Sequence, residues 1–346
     1  MKRLGNVWDK IVDADNLRLA FRKAARGKRW MWVVRRIERH LDDYVVRLQD
    51  LLNSGEYHTA KYKSQTVYEP KKRVIHSLPF YPDRIVHHAI LNILGPYWDS
   101  LFIHDSYACR AGKGQHSGSM RCMQFVRHYD YVLKCDVSKF YHSIDHAVMK
   151  RIIRRKLKDE RTLALLDEII DSSSTCVELR QGIGVPIGNL VSQWLGNLYL
   201  NELDTLVKQE YHVRPYVRYC DDFILFSNSK RFLHRMANII DGFLIHTLHI
   251  HLSKCELFPT RHGIDYLGYR HFRNYILLRK STAKRIKRRM AHIWKMLDAG
   301  RVRLELFMGQ VASARGWLKW ANSFHLRLAT SIDTLWERIN GIRCAA

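Results

Sequence analysis

The sequence predicts an α+β protein in which a core of alternating strands and helices lies between two helical segments. Three observations support this prediction. Residues 7–53 carry apolar side chains at helical spacing, residues 131–275 alternate strand and helix patterns, and a helical pattern returns from Ser281 onwards. At 346 residues, the chain has material for about two or three subdomains and an ample core.

The N-terminal half is expected to contain a helical segment followed by a mixed one. Within residues 7–53, the segment from Arg22 to Arg39 is strongly basic. Residues 61–130 combine short strand patterns with one apolar helix around residues 84–94. Residues 131–275 then form the candidate catalytic core, because strand and helix patterns alternate there.

A basic amphipathic helix is expected after the core. Ser281 or Thr282 would cap it, and it would end near Gly300. Four residues form its predicted apolar face, namely Ile286, Met290, Ile293 and Leu297. Five cations lie on the other face, namely Lys284, Arg285, Lys287, Arg288 and Arg289. Residues 276–346 hold 15 Lys and Arg against four acids, which suits a surface that grips a nucleic-acid duplex or, alternatively, a solvated helix face.

The overall composition favours a polyanionic partner. Lys and Arg number 58 against 33 acids, a net charge of +25, which suits RNA, DNA or both. The alternative is a basic protein that is merely soluble. An acidic membrane surface is disfavoured, because the sequence shows no 18-residue apolar run and no signal peptide. Seven scattered cysteines without a Cys-x-x-Cys pair predict a reducing cytoplasm and no zinc site.

The candidate chemistry lies in two acidic strand ends. Residues 214–227 read as two short strands joined by a tight turn, with Asp221 and Asp222 at the tip. A strand pattern from Tyr129 onwards ends at Asp136. If that strand lies beside the hairpin, Asp136 and Asp221 can bind two magnesium ions about 4 Å apart. The alternative is that these aspartates only mark turns, as Asp42 would on a solvated helix face.

Seven motifs, two of which contain the aspartates described above, occur in an order that resembles the reverse transcriptases of bacterial retroelements. They are residues 70–75 with 83–90, residues 105–115, 136–146, 219–222, 252–256, 264–269 and 316–323. This resemblance implies a right-hand polymerase with fingers, palm and thumb. The implied domains are a helical N-terminal extension (1–53), fingers with part of the palm (54–130), the palm (131–275) and a helical thumb (276–346).

One segment narrows the resemblance. Residues 182–193 contain Pro-Ile-Gly-Asn-x-x-Ser-Gln where most reverse transcriptases carry Pro-Gln-Gly, so that Ile187 replaces a glutamine. This pattern resembles the reverse transcriptases of diversity-generating retroelements. Such enzymes copy a template-repeat RNA into cDNA with errors opposite adenines, and the cDNA then diversifies a variable protein gene. The resemblance implies template RNA, cDNA and dNTPs as ligands, and a small basic accessory protein as a partner.

The family roles transfer to residues of this chain. The metal-binding set would be Asp136, Asp221, Asp222 and the Val137 carbonyl, with Asp222 supporting the electrostatics or contacting the primer. Lys254 would be the general acid for pyrophosphate, or an ordinary surface lysine. Tyr141 would be the steric gate against ribonucleotides, or a packed side chain. The other implied contacts are to the nucleotide (Lys71, Arg73, Arg110, Lys113, Ile187 and Gly188) and to the primer or duplex (Leu267, Gly268, Tyr269, Lys284, Arg285, Arg288 and Trp317).

Three alternatives remain open from the sequence. Ile187 can contribute to error-prone copying because it offers no polar contact to the incoming pair, or it can pack under the helix that starts near Asn189. The chain can belong to another lineage, such as a retron, a group II intron protein or a phage-defence enzyme. It can also be a non-catalytic RNA-binding scaffold, although all three aspartates are present.

Overall fold

The structure is a computed structural model, and it describes residues 3–68, 73–176, 179–301 and 303–345. Helices and strands both contribute, so the predicted α+β class is confirmed. The α-helices are α1 (Trp8–Val12), α2 (Ala14–Ala25), α3 (Trp32–Arg39), α4 (Leu41–Asn53), α5 (Ile85–Leu101), α6 (Gln115–Val126), α7 (Phe140–Ser143), α8 (His146–Lys156), α9 (Glu160–Asp171), α10 (Leu190–Thr205), α11 (Lys230–Leu248), α12 (Lys280–Asp298), α13 (Leu304–Lys319), α14 (Phe324–Thr330) and α15 (Ile332–Ala345).

The strands form three sheets. They are β1 (Lys63–Val67), β2 (Arg73–Ser77), β3 (Tyr131–Val137), β4 (Tyr216–Tyr219), β5 (Asp222–Ser227), β6 (Leu252–Pro259), β7 (Ile264–Tyr266), β8 (Tyr269–His271) and β9 (Ile276–Leu278). β1 and β2 pair antiparallel, with Lys63 opposite Ser77. The central sheet has the order β4-β5-β3-β6, and β7, β8 and β9 form an antiparallel sheet in that order.

Two compact units divide the chain. The first comprises Met1–Arg110, Lys134–Phe223 and Arg235–Cys255, and the second comprises Ala111–Leu133, Ile224–His234 and Glu256–Ala346. Each unit is assembled from three stretches of sequence. The predicted boundaries of the extension, fingers, palm and thumb are not tested by this division and stay predictions.

The N-terminal helices of the first unit pack on the apolar helix α5. The Asp13 side chain caps α2 by accepting hydrogen bonds from the N–H groups of Asp15 and Asn16. The Asn16 amide then donates to the carbonyls of Ile11 and Ala89, which ties α2 to both neighbouring helices. These bonds satisfy a buried polar group, so the extension is a packed part of this unit.

The helices of the second unit bury the predicted apolar face of α12. Ile286, Met290, Ile293 and Leu297 pack with apolar side chains of α13 and α15 in one core. The predicted cap is wrong: α12 begins at Lys280, and its N-cap residue Arg279 makes no side-chain capping bond. Thr282 is instead buried within the first turn. Within the described residues, no helix is long and apolar enough to cross a bilayer.

Candidate functional site

The adjacent aspartates lie at a two-residue turn between β4 and β5. Cys220 and Asp221 form the turn, and Asp222 is the first residue of β5. Cys220 adopts the left-handed backbone conformation, with φ of 51°. Two-residue hairpin turns require such positive φ angles, so the backbone of this turn is tightly specified. The predicted hairpin is therefore present, and its tip holds Asp221.

The structure brings Asp136 beside this turn. β3 is the neighbour of β5 in the central sheet, and Asp136 is its penultimate residue. The N–H of Val137 donates to the carbonyl of Asp221 over 3.3 Å. Asp136, Asp221 and Asp222 are all partly exposed. The two predicted acidic strand ends thus form one site in the first unit.

The charge balance of this site is unfavourable without a cation. Burial raises the pKa of the Asp221 carboxyl above its ordinary value, and the nearby Asp136 carboxylate raises this pKa further. The positive charges of Arg73 and Arg218 oppose the rise. The net rise in the pKa shows that the ionised form of Asp221 is disfavoured, as expected for two carboxylates that share a partly buried site.

Asp136 has a second neighbour that the sequence did not indicate. The Ser253 hydroxyl on β6 lies 2.7 Å from Asp136 Oδ2 and 3.0 Å from the Asp136 carbonyl oxygen, and it donates toward both. This bond orients the carboxylate from the side opposite to Asp221, because β6 is the other neighbour of β3. Lys254 follows on the same strand and is exposed.

A fully buried ion pair holds the hairpin from behind. Arg218 on β4 and Asp204 near the end of α10 are both 0% exposed, and the guanidinium donates two hydrogen bonds to the carboxylate, at 2.6 and 2.8 Å. Arg218 also donates to the Asn197 side chain and to the Cys220 carbonyl at 3.0 Å. The last bond directly fixes the turn formed by Cys220 and Asp221. The sequence signal is a lone arginine in an otherwise apolar strand, which requires a buried partner.

Asp204 keeps this guanidinium charged. Burial alone lowers the pKa of Arg218, but the Asp204 carboxylate outweighs it and the pKa lies above its ordinary value. Asp204 accepts a further hydrogen bond from the Tyr216 hydroxyl at 2.8 Å. One carboxylate therefore anchors two residues of β4.

Tyr141, the predicted steric gate, lies next to the same turn. Burial raises the pKa of its phenol, and a hydrogen bond with the Cys220 side chain adds to the rise. Its ring packs beside Gly196 of α10, where a Cβ atom would lie 3.2 Å from the Tyr141 ring. The ring is therefore held near the aspartates, while its action on the sugar stays a prediction.

The segment containing Ile187 and Gly188 is seated on β2. The His76 N–H donates to the Ile187 carbonyl at 2.8 Å. Gly188 has φ of 118°, and a Cβ atom there would lie 2.7 Å from the His76 carbonyl oxygen and from Ile75 Cγ2. The backbone contact leaves no room for a side chain. Ile187 itself is partly exposed, and α10 begins three residues later at Leu190.

Gly188→Ala is therefore expected to displace this segment and to lower the polymerase activity that the resemblance implies by about tenfold or more, because positive φ and backbone contact both exclude Cβ. Gly182→Ala is the matched control, since Gly182 also has positive φ, at 76°, but a Cβ atom there would meet no described atom within 4 Å beyond its own chain neighbours. Steady-state primer extension with both variants checks this expectation. Equal activity of the two variants would contradict it.

The four residues predicted to contact the triphosphate differ from one another in their surroundings. Arg73 begins β2, is exposed, and acts on the charge of Asp221. Arg110 instead binds Asp99 and the carbonyls of Ile103 and Ser106, which gives this guanidinium a structural role. Lys113 lies in the second unit and is partly buried, and Lys71 lies outside the described residues.

The predicted primer-grip residues gather within the second unit. Leu267 and Gly268 form a turn with positive φ, and a Cβ at Gly268 would lie 2.6 Å from the Trp317 ring. The Tyr269 and Trp317 rings lie 5.2 Å apart, and the Tyr269 hydroxyl donates to the Trp317 carbonyl. The role of these residues as a primer grip stays a prediction. On α12, Lys284 and Arg288 are exposed and Arg285 is partly exposed.

Four of the seven free cysteines flank the aspartates in two pairs. Cys135 and Cys255 lie with their sulfur atoms 3.7 Å apart, directly before Asp136 and after Lys254. The Cys109 thiol is hydrogen-bonded to that of Cys220.

The donor set of the site fits divalent metal ions. Asp136, Asp221 and the Val137 carbonyl are oxygen ligands of the kind that hard cations prefer, and a cation would relieve the repulsion that raises the pKa of Asp221. Across the parts of the chain that the structure describes, no group of three or more His, Cys, Asp and Glu side chains could hold a metal by itself. Nucleotide phosphates and water would therefore complete the coordination.

Comparisons with known proteins show what this chain is similar to. Residues 61–271 match the family described as reverse transcriptase (RNA-dependent DNA polymerase). Protein YkfC of Escherichia coli is 26% identical, covering 64% of this chain and 70% of YkfC. Group II intron-encoded protein LtrA of Lactococcus lactis is 20% identical, covering 49% of this chain and 29% of LtrA. The apo telomerase structure from Candida tropicalis matches with a TM-score of 0.51 at 10% identity, covering 81% of this chain and 59% of the telomerase chain.

Proposed function

Because the chain belongs to the reverse transcriptase family, for which the predicted right-hand polymerase fold is confirmed, we propose that it extends a DNA primer along an RNA template. The observation that carries this proposal is the juxtaposition of Asp136 and Asp221, held from two sides by Ser253 and Arg218. A carboxylate pair on adjacent strand ends suits phosphoryl transfer, where positioning and charge neutralisation supply most of the catalysis.

Each residue of the site would have a separate role in the reaction. Asp136, Asp221 and the Val137 carbonyl would hold two magnesium ions, with Asp222 shaping the local field. When bound, such ions supply activation of the attacking 3′-hydroxyl and neutralisation of the leaving pyrophosphate. Arg73 would contact the triphosphate, because it is exposed and already close enough to affect the charge of Asp221. Lys254 would protonate the leaving pyrophosphate, and Tyr141 would exclude the ribose 2′-hydroxyl.

The finer proposal is a reverse transcriptase of a diversity-generating retroelement. It would copy a template-repeat RNA into mutagenic cDNA with the help of a small basic accessory protein. The Pro-Ile-Gly-Asn segment supports this subclass. Its glycine, Gly188, cannot be replaced freely, because a Cβ atom there would collide with β2. The seven free thiols fit a cytoplasmic enzyme. The second candidate is another lineage, favoured by the likeness to a group II intron-encoded protein.

Primer extension on an RNA template, with dNTPs and magnesium ions, followed by sequencing of the product, tests both the polymerase activity and the finer proposal. Synthesis with errors concentrated at template adenines would support the finer proposal. Accurate cDNA would support the polymerase activity but would assign the protein to another reverse transcriptase lineage. Failure to synthesise even with the natural RNA and the accessory protein would favour an RNA-binding scaffold.

Ile187→Gln is expected to lower misincorporation opposite adenine by about tenfold, because a glutamine amide adds a polar contact that discriminates between correct and incorrect pairs. Ile183→Gln is the matched control, as it places the same amide at a position that is 38% exposed in the preceding loop. Error rates from sequenced cDNA check this expectation. An unchanged error rate in Ile187→Gln would mean that Ile187 only packs beside α10.

A further inference from the structure

The turn between α2 and α3 carries a dense group of cations that the proposed active site does not use. From Arg22 to Arg39 the sequence contains eight Lys and Arg and one acid. The structure gathers several of them around a shallow cavity of about 380 Å³, which is lined by Arg22, Lys23, Arg26, Gly27 and Arg29. Four of its five lining residues are cationic, so the cavity suits an anionic ligand.

A second basic cavity in the same unit provides the contrast. It is lined on α8 by Lys150, Arg151, Arg154 and Arg155, together with Arg3 and Ala147. Three of these cations have carboxylate partners, namely Asp171, Asp167 and Glu202. Three of its five cations are therefore paired with carboxylates within the protein.

At the α2–α3 turn only one of the four lining cations has such a partner among the described residues. Among the described residues around the cavity, Arg29 pairs with Glu38 at 3.3 Å, whereas Lys23 donates to the neutral amide of Asn92. Arg22 and Arg26 make no ion pair with a described carboxylate. The cavity thus keeps a net positive charge.

Neighbouring titratable groups register this positive potential. Burial lowers the pKa of His88 on α5 to about 4, and the charges of Arg84, Lys23 and Lys28 add to the fall. Burial and the charge of Arg84 also lower the pKa of Lys28. Cations crowded in this way are relieved when an anion binds among them.

Two tryptophans stand exposed at the same turn. Trp30 is 72% exposed and Trp32 is 71% exposed, although indoles normally bury most of their surface. The Trp30 indole N–H donates to the Gly27 carbonyl at 3.2 Å, and the Arg36 guanidinium lies 5.4 Å from the Trp32 ring. The indoles are therefore partly oriented before any ligand arrives. Exposed aromatic faces among cations are the features by which proteins hold unpaired bases and their phosphates.

We propose that the α2–α3 turn binds an unpaired segment of RNA, with phosphates at Arg22 and Arg26 and bases stacked on Trp30 and Trp32. This inference rests on the proposed function, because a template RNA supplies the ligand. Single strands are favoured over duplexes, since stacking on an indole needs a base that is free of its own stack. The turn would anchor a part of the template RNA that is not being copied.

The test uses the full chain and an unstructured RNA of about 20 nucleotides, long enough to span a stacking platform and its flanking phosphates. The Trp30→Ala, Trp32→Ala double variant is expected to weaken RNA binding by about tenfold, through loss of stacking. The Arg22→Glu, Arg26→Glu double variant is expected to reduce the slope of log affinity against log salt by about 1.4, since each contact to a single strand contributes about 0.7. Ultraviolet cross-linking to wild-type protein should map to the peptide with Trp30 and Trp32.

Two matched variants separate specific effects from general ones. Trp30→Phe with Trp32→Phe keeps the stacking surfaces and should retain most of the affinity. Arg151→Glu reverses one charge at the other basic cavity, against two in the double variant, and should leave the salt slope within about 0.3 of the wild type. Circular dichroism confirms that every variant folds, which the high exposure of the substituted side chains leads us to expect.

Two results would overturn the inference. One is that affinity, salt slope and cross-links do not change in the variants. The other is that the variants bind RNA normally but fail to retain an acidic protein, which would assign the turn to protein binding. Extension of a short primer–template is measured in parallel. Wild-type protein that binds RNA at the turn without extending a primer would refute the proposed function alone, and unchanged RNA binding by variants of an active enzyme would refute this inference alone.

Discussion

Asp221→Asn is expected to lower primer extension by about a thousandfold or more, because it removes one of two carboxylates that would hold the metal ions. Single-turnover extension of a labelled primer on an RNA template measures the loss. Asp43→Asn is the matched control, since Asp43 belongs to the chain's other Asp-Asp pair and its side chain is 70% exposed on α4. Comparable activity of both variants would contradict the assignment of the site.

The same substitution is expected to leave the fold intact or to stabilise it in metal-free buffer. Because the pKa of Asp221 is raised in the folded protein, its stability contribution is present at low pH and is lost as pH rises through that pKa. The ionised carboxylate thus lowers the free energy of unfolding at neutral pH, and asparagine removes this cost. Magnesium ions should then raise the melting temperature of the wild type more than that of Asp221→Asn. A variant that melts well below the wild type without metal would contradict this reasoning.

The second large effect is expected at the buried pair. Asp204→Asn and Arg218→Met should each lower the free energy of unfolding by about 3–5 kcal/mol, because each leaves a buried group without its charged partner. The Asp204→Asn, Arg218→Met double variant should lose less than the sum of the two, because the groups interact directly. Urea unfolding followed by circular dichroism measures all three.

A surface pair provides the control for this second prediction. Arg154 and Asp167 also form an ion pair, but the Arg154 side chain is 45% exposed. Asp167→Asn should therefore cost less than about 1 kcal/mol. If Asp204→Asn cost no more than Asp167→Asn, the buried pair would not be what holds β4 in place. Activity of Asp204→Asn should fall as well, because Arg218 holds the Cys220 carbonyl.

Local pattern was sufficient to predict the parts of the site that depend on neighbouring residues in sequence. The strand ending near Asp136, the hairpin with Asp221 at its tip and the apolar face of α12 follow from periodicity and turn chemistry, and each is present. The contact of Gly268 with Trp317 was not predicted, because the resemblance placed the two residues in separate motifs and they are 49 positions apart.

Residues whose roles depend on distant partners were predicted less well. Ser253 and Asp204 gave no local signal of their own, since a hydroxyl on a strand and an acid on a helix are usually solvated. Arg110 was assigned to phosphate because guanidinium groups suit phosphate, yet Asp99 and two carbonyls already occupy it. The cap expected at Ser281 or Thr282 was wrong, because α12 begins earlier, at Lys280. The N–H of Arg279, directly before the helix, donates to the Gly268 carbonyl.

Under the proposed function, helix α10 would link copying speed to copying accuracy. It begins beside the segment of Ile187 and Gly188, which is seated on β2, and near its other end Asp204 holds the strand that leads into the catalytic turn. At 16 residues the helix is about 24 Å long, and hydrogen bonds from each turn to the next run along its length. A substitution that reseats either end would therefore shift the other, so mutations selected for altered fidelity should also alter turnover.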